Sequence, residues 1–328
     1  MIKYDPGYMS LSDSAFREKK ERADLLSLHC SLCPRRCGAG RLHGQAGACG
    51  AGKEPEVAHF QAHFGEEPPL SGKHGAGTIF FPHCSLHCAY CQNHQISRQS
   101  GVRYPLSAEQ LGLIMVRLQE QGVHNIDLVS PTHFVPGIIA AVHAARDKGL
   151  RVPIVYNTNG YETADTLELL SGIVDVYLPD FKYADERTGL RYSGVADYAA
   201  YAKEAIEAMY KQAGDLLLDE NGFAQKGLLV RHLVLPGYTQ ESMNIIDFLK
   251  ERLGTAIGLS VMSQYAPCYR AHEFAELNRK LCVAEYDEVV EHVQEAGFTQ
   301  CWIQELESNA VYFPDFGCSA VFGNDLSR

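Results

Sequence analysis

Three cysteines fall within eight residues in the stretch Cys84-Ser85-Leu86-His87-Cys88-Ala89-Tyr90-Cys91, and they constrain this chain more than any other feature. Thiolates are soft ligands that suit iron–sulfur clusters. Three of them leave one iron of a four-iron cluster without a protein ligand, and that open corner can take a chelating molecule. The competing reading of the same residues is a zinc knuckle, with His83, His87 or His94 as the fourth ligand.

The spacing C-x3-C-x2-C with an aromatic residue before the last cysteine, here Tyr90, resembles the signature of the radical SAM superfamily. The resemblance implies a 4Fe-4S cluster on Cys84, Cys88 and Cys91, with S-adenosyl-L-methionine (SAM) as the second cofactor. It implies one-electron cleavage of SAM to methionine and a 5′-deoxyadenosyl radical, which abstracts hydrogen from a substrate.

Seven of the eleven cysteines lie between residues 30 and 91, in two groups with ligand-like spacing. That distribution points to metal binding rather than a disulfide framework. Cys30, Cys33, Cys37 and Cys49 form the first group, with a glycine-rich stretch before the fourth. Four thiolates suit a structural zinc ion or a second 4Fe-4S cluster, and residue types do not choose between them. This segment resembles the N-terminal region of radical SAM proteins like the pyruvate formate-lyase activating enzyme. The scattered Cys268, Cys282, Cys301 and Cys318 read as small buried hydrophobes.

With 328 residues and 46% hydrophobic content, the chain can bury a full core. A net charge of −11 argues against a nucleic-acid-binding surface. No apolar run approaches a membrane span, and the start of the chain reads as no signal peptide, so a cytoplasmic location is expected.

Residues 12–26 read as a helix, and 51–76 as an irregular lead-in whose histidines and glutamates, His59, His63, Glu66 and Glu67, face solvent. From Gly77 short apolar strands alternate with helices. Strands are expected at 78–82, 125–129, 153–156, 173–178, 228–235 and 257–262, with an added one at 299–304. A capping box at Ser107 and Gln110 opens a helix. The alternation implies a parallel α/β sheet. Six such units fit the open partial (β/α)6 TIM-like barrel that the resemblance implies. The expected domains are a Cys-rich extension at 1–76, the barrel at 77–270 and a helix with a barrel-closing tail at 271–328.

Ligands in such sheets gather at the C-terminal ends of the strands. There the resemblance assigns cofactor contacts to Tyr90 in the cluster loop, Ser130 and Thr132 after the second strand, and Asn157 and Asn159 after the third. It adds Asp180 and Lys182 after the fourth, Arg231 in the fifth and Gln264 after the sixth. Local readings compete: an Asn-Gly turn at Asn159, and an Asp180–Lys182 ion pair. An arginine within a parallel strand needs a partner or a ligand, because burying it alone is costly. The expected activity is hydrogen abstraction from a protein or peptide substrate, as in a glycyl-radical-enzyme activase, with a donor such as flavodoxin or ferredoxin supplying the electron. The alternatives are a small-molecule or stable peptide modification, and a metal-binding interaction protein without turnover.

Overall fold

The computed structural model describes residues 4–98, 103–306, 314–318, 321 and 322. Its main sheet runs through eight strands: β1 (His59–His63), β2 (Ala76–Phe80), β3 (Ile126–Val129), β4 (Ile154–Thr158), β5 (Val176–Pro179), β6 (Ala224–Leu233), β7 (Gly258–Met262) and β8 (Gln300–Ile303). They lie side by side in chain order, all parallel from β2 to β8, with β1 antiparallel at the edge. A strand order that never reverses keeps successive right-handed crossovers on one face, so the helices cover the outside and the sheet curls around its inner face. The result is a partial TIM-like barrel, left open because β1 and β8 do not pair.

The added strand expected at 299–304 is present as β8, which pairs in register with β7 from Gly258 opposite Gln300, so the parallel stack has seven strands. One finding corrects the sequence reading. The 51–76 segment is not an irregular lead-in. It carries β1 and a helical turn, Pro68–Ser71, that begins on a proline pair. The sequence shows little of β1, since His59-Phe60-Gln61-Ala62-His63 lacks a clean apolar alternation.

Eight helices of seven residues or more complete the described chain: α1 (Asp13–Leu28), α2 (Ala108–Glu120), α3 (Val135–Asp147), α4 (Ala164–Leu170), α5 (Glu186–Ser193), α6 (Tyr198–Ala213), α7 (Thr239–Leu253) and α8 (Val283–Ala296). Side-chain caps at Ser12, Ser107 and Thr163 start α1, α2 and α4, and Ser107 forms the full capping box with Gln110. Gly112 lets α2 lie against α3, since a Cβ there would come 2.8 Å from the Ala141 carbonyl oxygen. No described helix is long and apolar enough to cross a membrane.

The two sheet faces bury different cores, as period-two strands require. The outer face, with Ile126, Leu128, Ile154, Leu228 and Leu259, joins the helices in the main cluster. The inner face closes the barrel's lower end with a smaller cluster of Val155, Val176, Leu178 and Leu229, plugged by Leu70 from the Pro68–Ser71 turn. Above that plug the inner face turns polar, and a cavity opens.

Candidate functional site

The cavity holds about 920 Å³. Its walls take Asn157 from β4, Arg231 and Leu233 from β6, Ser260 and Met262 from β7, and Trp302 from β8. These residues project inward near the C-terminal ends of their strands. Cys84, Cys88, Tyr90 and Cys91 line the same space from the loop after β2.

Each of the three thiols meets one polar side chain from a different element. Asn159 Nδ2 donates to Cys84 Sγ over 3.3 Å, Ser193 Oγ to Cys88 Sγ over 3.0 Å, and Ser97 Oγ lies 3.3 Å from Cys91 Sγ. Burial pushes the Cys91 thiol up to about 12, with Cys88 adding to it, and burial raises Cys88 as well. Side-by-side buried thiols of this kind ionise only with a positively charged partner. The three soft donors, each with a polar partner and an open cavity beside it, therefore fit an iron–sulfur cluster. Of the three histidines that the zinc-knuckle alternative offers as a fourth ligand, two are engaged elsewhere. His83 Nε2 is engaged by Glu56 Oε2 at 2.7 Å, and His94 stacks on Tyr269 with its Nδ1 on the Cys91 carbonyl.

Of the nine expected cofactor contacts, the structure brings eight to this cavity: Tyr90, Ser130, Asn157, Asn159, Asp180, Lys182, Arg231 and Gln264. Tyr90 spends its hydroxyl inward, 2.7 Å from the Tyr183 hydroxyl, so it braces the loop. Ser130 has φ +57°, a left-handed conformation that costs a non-glycine residue about 1 kcal/mol. Gly160 has φ +79°, and a Cβ there would meet the Asp180 carbonyl at 2.3 Å, so the Asn159-Gly160 turn is a tight junction between β4 and β5.

Thr132 corrects the expectation. It lies outside the cavity, and its hydroxyl donates to Glu162 Oε1 over 2.5 Å. The short helical turn at Thr132–Phe134 rotates it behind the sheet end. Glu162 is fully buried and also accepts from Thr158. Burial pushes its carboxyl up to about 7, against the pull of these hydroxyl donors. His133, also buried there, bonds the Pro82 carbonyl at 2.8 Å, and burial lowers its imidazole to about 3.

Lys182 Nζ lies 2.6 Å from Asp180 Oδ2. Burial pulls the ammonium down, but the Asp180 carboxylate more than offsets it, so Lys182 stays charged beside Cys88. Gln264 is held by Gln304, whose Nε2 donates to its Oε1 over 3.3 Å.

Arg231 overturns the solvent-facing reading of Glu66 and Glu67. Both glutamates reach into the barrel from the β1–β2 connection and pair with its guanidinium. Burial alone would raise Glu66, yet Arg231 holds it below the ordinary carboxylate range. Asp127, buried on β3 beside Glu66 and bonded by Asn157 Nδ2 at 3.3 Å, is pushed well up by burial and then by Glu66. His63 is buried at the same end of the cavity, with Nε2 4.0 Å from Glu66 Oε1. Sequence reasoning also missed Ser193 and Ser97 as thiol partners, because α5 and the short His94–Ser97 helix carry no motif.

The first cysteine group sits behind this site. Cys30, Cys33, Cys37 and Cys49 surround a second, small cavity whose wall includes Ser85, the residue after Cys84. Burial raises the Cys33 thiol to about 12.

A family model described as the Radical SAM superfamily matches residues 78–249. Over 282 residues the chain is 30% identical to the uncharacterized protein MJ0674 of Methanocaldococcus jannaschii, a match covering 83% of this chain and 76% of that one. Among solved structures, Streptococcus suis SuiB bound to precursor peptide SuiA aligns with a TM-score of 0.45 and 14% identity, over 68% of this chain and 46% of that one. anSMEcpe with bound AdoMet and Cp18Cys peptide aligns with a TM-score of 0.46 and 14% identity, over 72% and 61%. HydG, a maturase of the FeFe-hydrogenase, aligns with a TM-score of 0.47 and 15% identity, over 66% and 48%. The chain thus spans roughly half to three-fifths of these solved chains, 46% to 61%.

Proposed function

The chain belongs to the radical SAM superfamily, and from that membership we propose that Cys84, Cys88 and Cys91 hold its cluster at the head of the barrel cavity. The enzymes of this family use a 4Fe-4S cluster and SAM, and the bound cluster supplies the electron for reductive SAM cleavage. The observation that carries the assignment is the meeting of three separately hydrogen-bonded thiols with the polar strand ends in one cavity.

The chain's own residues bind, orient and exclude water. Lys182 offers its ammonium to the SAM carboxylate, and Asp180 and Asn157 take the amino and ribose groups. Asn159 steadies Cys84, and Ser130 and Gln264 border the remaining groups. Arg231 acts through position rather than by direct contact, because Glu66 and Glu67 already clasp it. The buried lower plug keeps bulk water from below.

The substrate we assign is a segment of a protein or peptide, with a glycyl-radical enzyme as the first candidate and a flavodoxin or ferredoxin as the electron donor. The support for this reading is the resemblance of the strand-end residues to those of the activases; the cavity, at about 920 Å³, is within the range of ordinary small-ligand pockets. A second reading, a small-molecule substrate, draws on the C-terminal segment. Phe316 and Phe322 pack on Phe80, and Phe322 and Pro314 line the cavity and narrow it.

The test is anaerobic reconstitution of the full chain beside the Cys84→Ala/Cys88→Ala/Cys91→Ala variant, with iron, sulfide and 5′-deoxyadenosine measured in each. Loss of about four iron and of all SAM cleavage in the variant supports the assignment; unchanged iron and cleavage would sink it.

A further inference from the structure

The first cysteine group encloses a cavity of about 10 Å³, room for about one water-sized sphere. A zinc ion leaves no such room. With Zn–S near 2.3 Å in a tetrahedron, its four sulfurs stand about 3.8 Å apart and close on the ion. Here, among the described residues, no three of the Cys30, Cys33, Cys37 and Cys49 sulfurs lie within 4.8 Å of one another. Nor do the three sulfurs of Cys84, Cys88 and Cys91 all lie within 4.8 Å of one another.

Two arginines face this cage, Arg41 buried and Arg35 half-buried. Arg41 is 2% exposed, and its Nη1 has no hydrogen-bond partner among the described residues, while Nε donates to the Gly52 carbonyl over 2.9 Å. Arg35 donates from Nε to the Ser85 carbonyl, and its Nη2 is likewise buried without a partner. Both arginines line the cage. Buried donors of this kind call for acceptors. Four thiolates on a centre of charge +2 carry a net −2, which two guanidinium groups balance.

We propose that Cys30, Cys33, Cys37 and Cys49 bind a second 4Fe-4S cluster rather than zinc, with Arg35 and Arg41 donating to its sulfurs. Inorganic sulfides add acceptors beyond the four thiolates that a zinc site would also offer. The centre lies between solvent and the SAM-site loop. Cys37 is exposed on the outer side. Ser85 closes the inner side, and Asn159 Nδ2 bonds both Ser85 Oγ at 3.1 Å and Cys84 Sγ at 3.3 Å. Two adjacent cations favour the reduced, more negative state of such a cluster.

The experiment uses the full-length Cys84→Ala/Cys88→Ala/Cys91→Ala variant, which isolates this site whatever the fate of the SAM-site assignment. It is reconstituted anaerobically with iron and sulfide in the presence of equimolar zinc. The expected result is about four iron and four sulfide per chain, with an electron paramagnetic resonance signal on reduction. Adding Arg41→Gln should keep the iron and move the midpoint potential to a more negative value. One zinc per chain without iron overturns the proposal, and so does a chain that holds neither metal. Mössbauer spectra of the same sample identify the cluster type without relying on a variant of the four ligands.

Discussion

Arg231 and Glu67, separated by 164 residues, meet inside the barrel through two contacts, Nε to Oε1 at 2.7 Å and Nη2 to Oε2 at 2.5 Å. Glu66 joins the same guanidinium. Removing one side of a buried pair strands the other charge, which typically costs about 3–5 kcal/mol. Arg231→Leu should therefore destabilise the protein by about that amount, and Glu66→Gln/Glu67→Gln in the Arg231→Leu background should recover most of it. Urea unfolding of the three proteins checks this; equal stability of Arg231→Leu and wild type would exclude a structural role for the clasp.

Lys182 lies in the cavity wall, paired to Asp180 and close to Cys88. Replacing it with methionine keeps the apolar stem and removes the charge. SAM affinity should fall about tenfold, equivalent to about 1.4 kcal/mol. Equilibrium dialysis of the reconstituted protein against labelled SAM measures it. Unchanged affinity would restrict Lys182 to its ion pair with Asp180.

Ser193 donates to Cys88 Sγ at 3.0 Å and also contacts the Tyr183 hydroxyl at 2.8 Å. Hydrogen bonds to cluster sulfurs stabilise the reduced state. Ser193→Ala should make the midpoint potential of the SAM-site cluster more negative while leaving iron content at the wild-type level. A redox titration followed by electron paramagnetic resonance reads the shift.

Glu162 gives a pH signature. Its folded-state pKa, raised by burial to about 7 from the ordinary 4.5, favours the protonated form. Its contribution is present below pH 4.5 and is lost as pH rises through 7. Wild type should lose up to about 3 kcal/mol relative to Glu162→Gln across that window, since each pKa unit is about 1.4 kcal/mol. Paired thermal or urea melts between pH 4.5 and 8 test it; parallel curves would mean that Glu162 is charged throughout.

The elements most legible in the sequence were those whose cause is local. Ser107 and Gln110 announced α2 by their capping chemistry, and the strand–helix alternation announced the parallel sheet. Strand ends could be found, so Asn157, Asp180 and Lys182 could be placed near one another. Arg231 was legible as a residue in need of a partner, but the partner was not, because Glu66 and Glu67 come from a segment with no strand period. Thr132 was misplaced by a turn of three residues, Thr132–Phe134, which rotates side chains without changing the chain's course. The hydrogen-bond donors Ser97 and Ser193 are single serines in short helices, and only the folded loop brings them to sulfur.

The β1–β2 connection has a consequence for synthesis. Glu67 leaves the ribosome 164 residues before Arg231. At 5–20 residues per second that interval is roughly 8–33 s. During it the two carboxylates keep their hydration, and Leu70 lacks the later strands that bury it. The lower end of the barrel is therefore sealed late, from material made early. A nascent chain halted before β6 should hold its outer helices against β2–β5 while the floor of its future cavity still stands open to water.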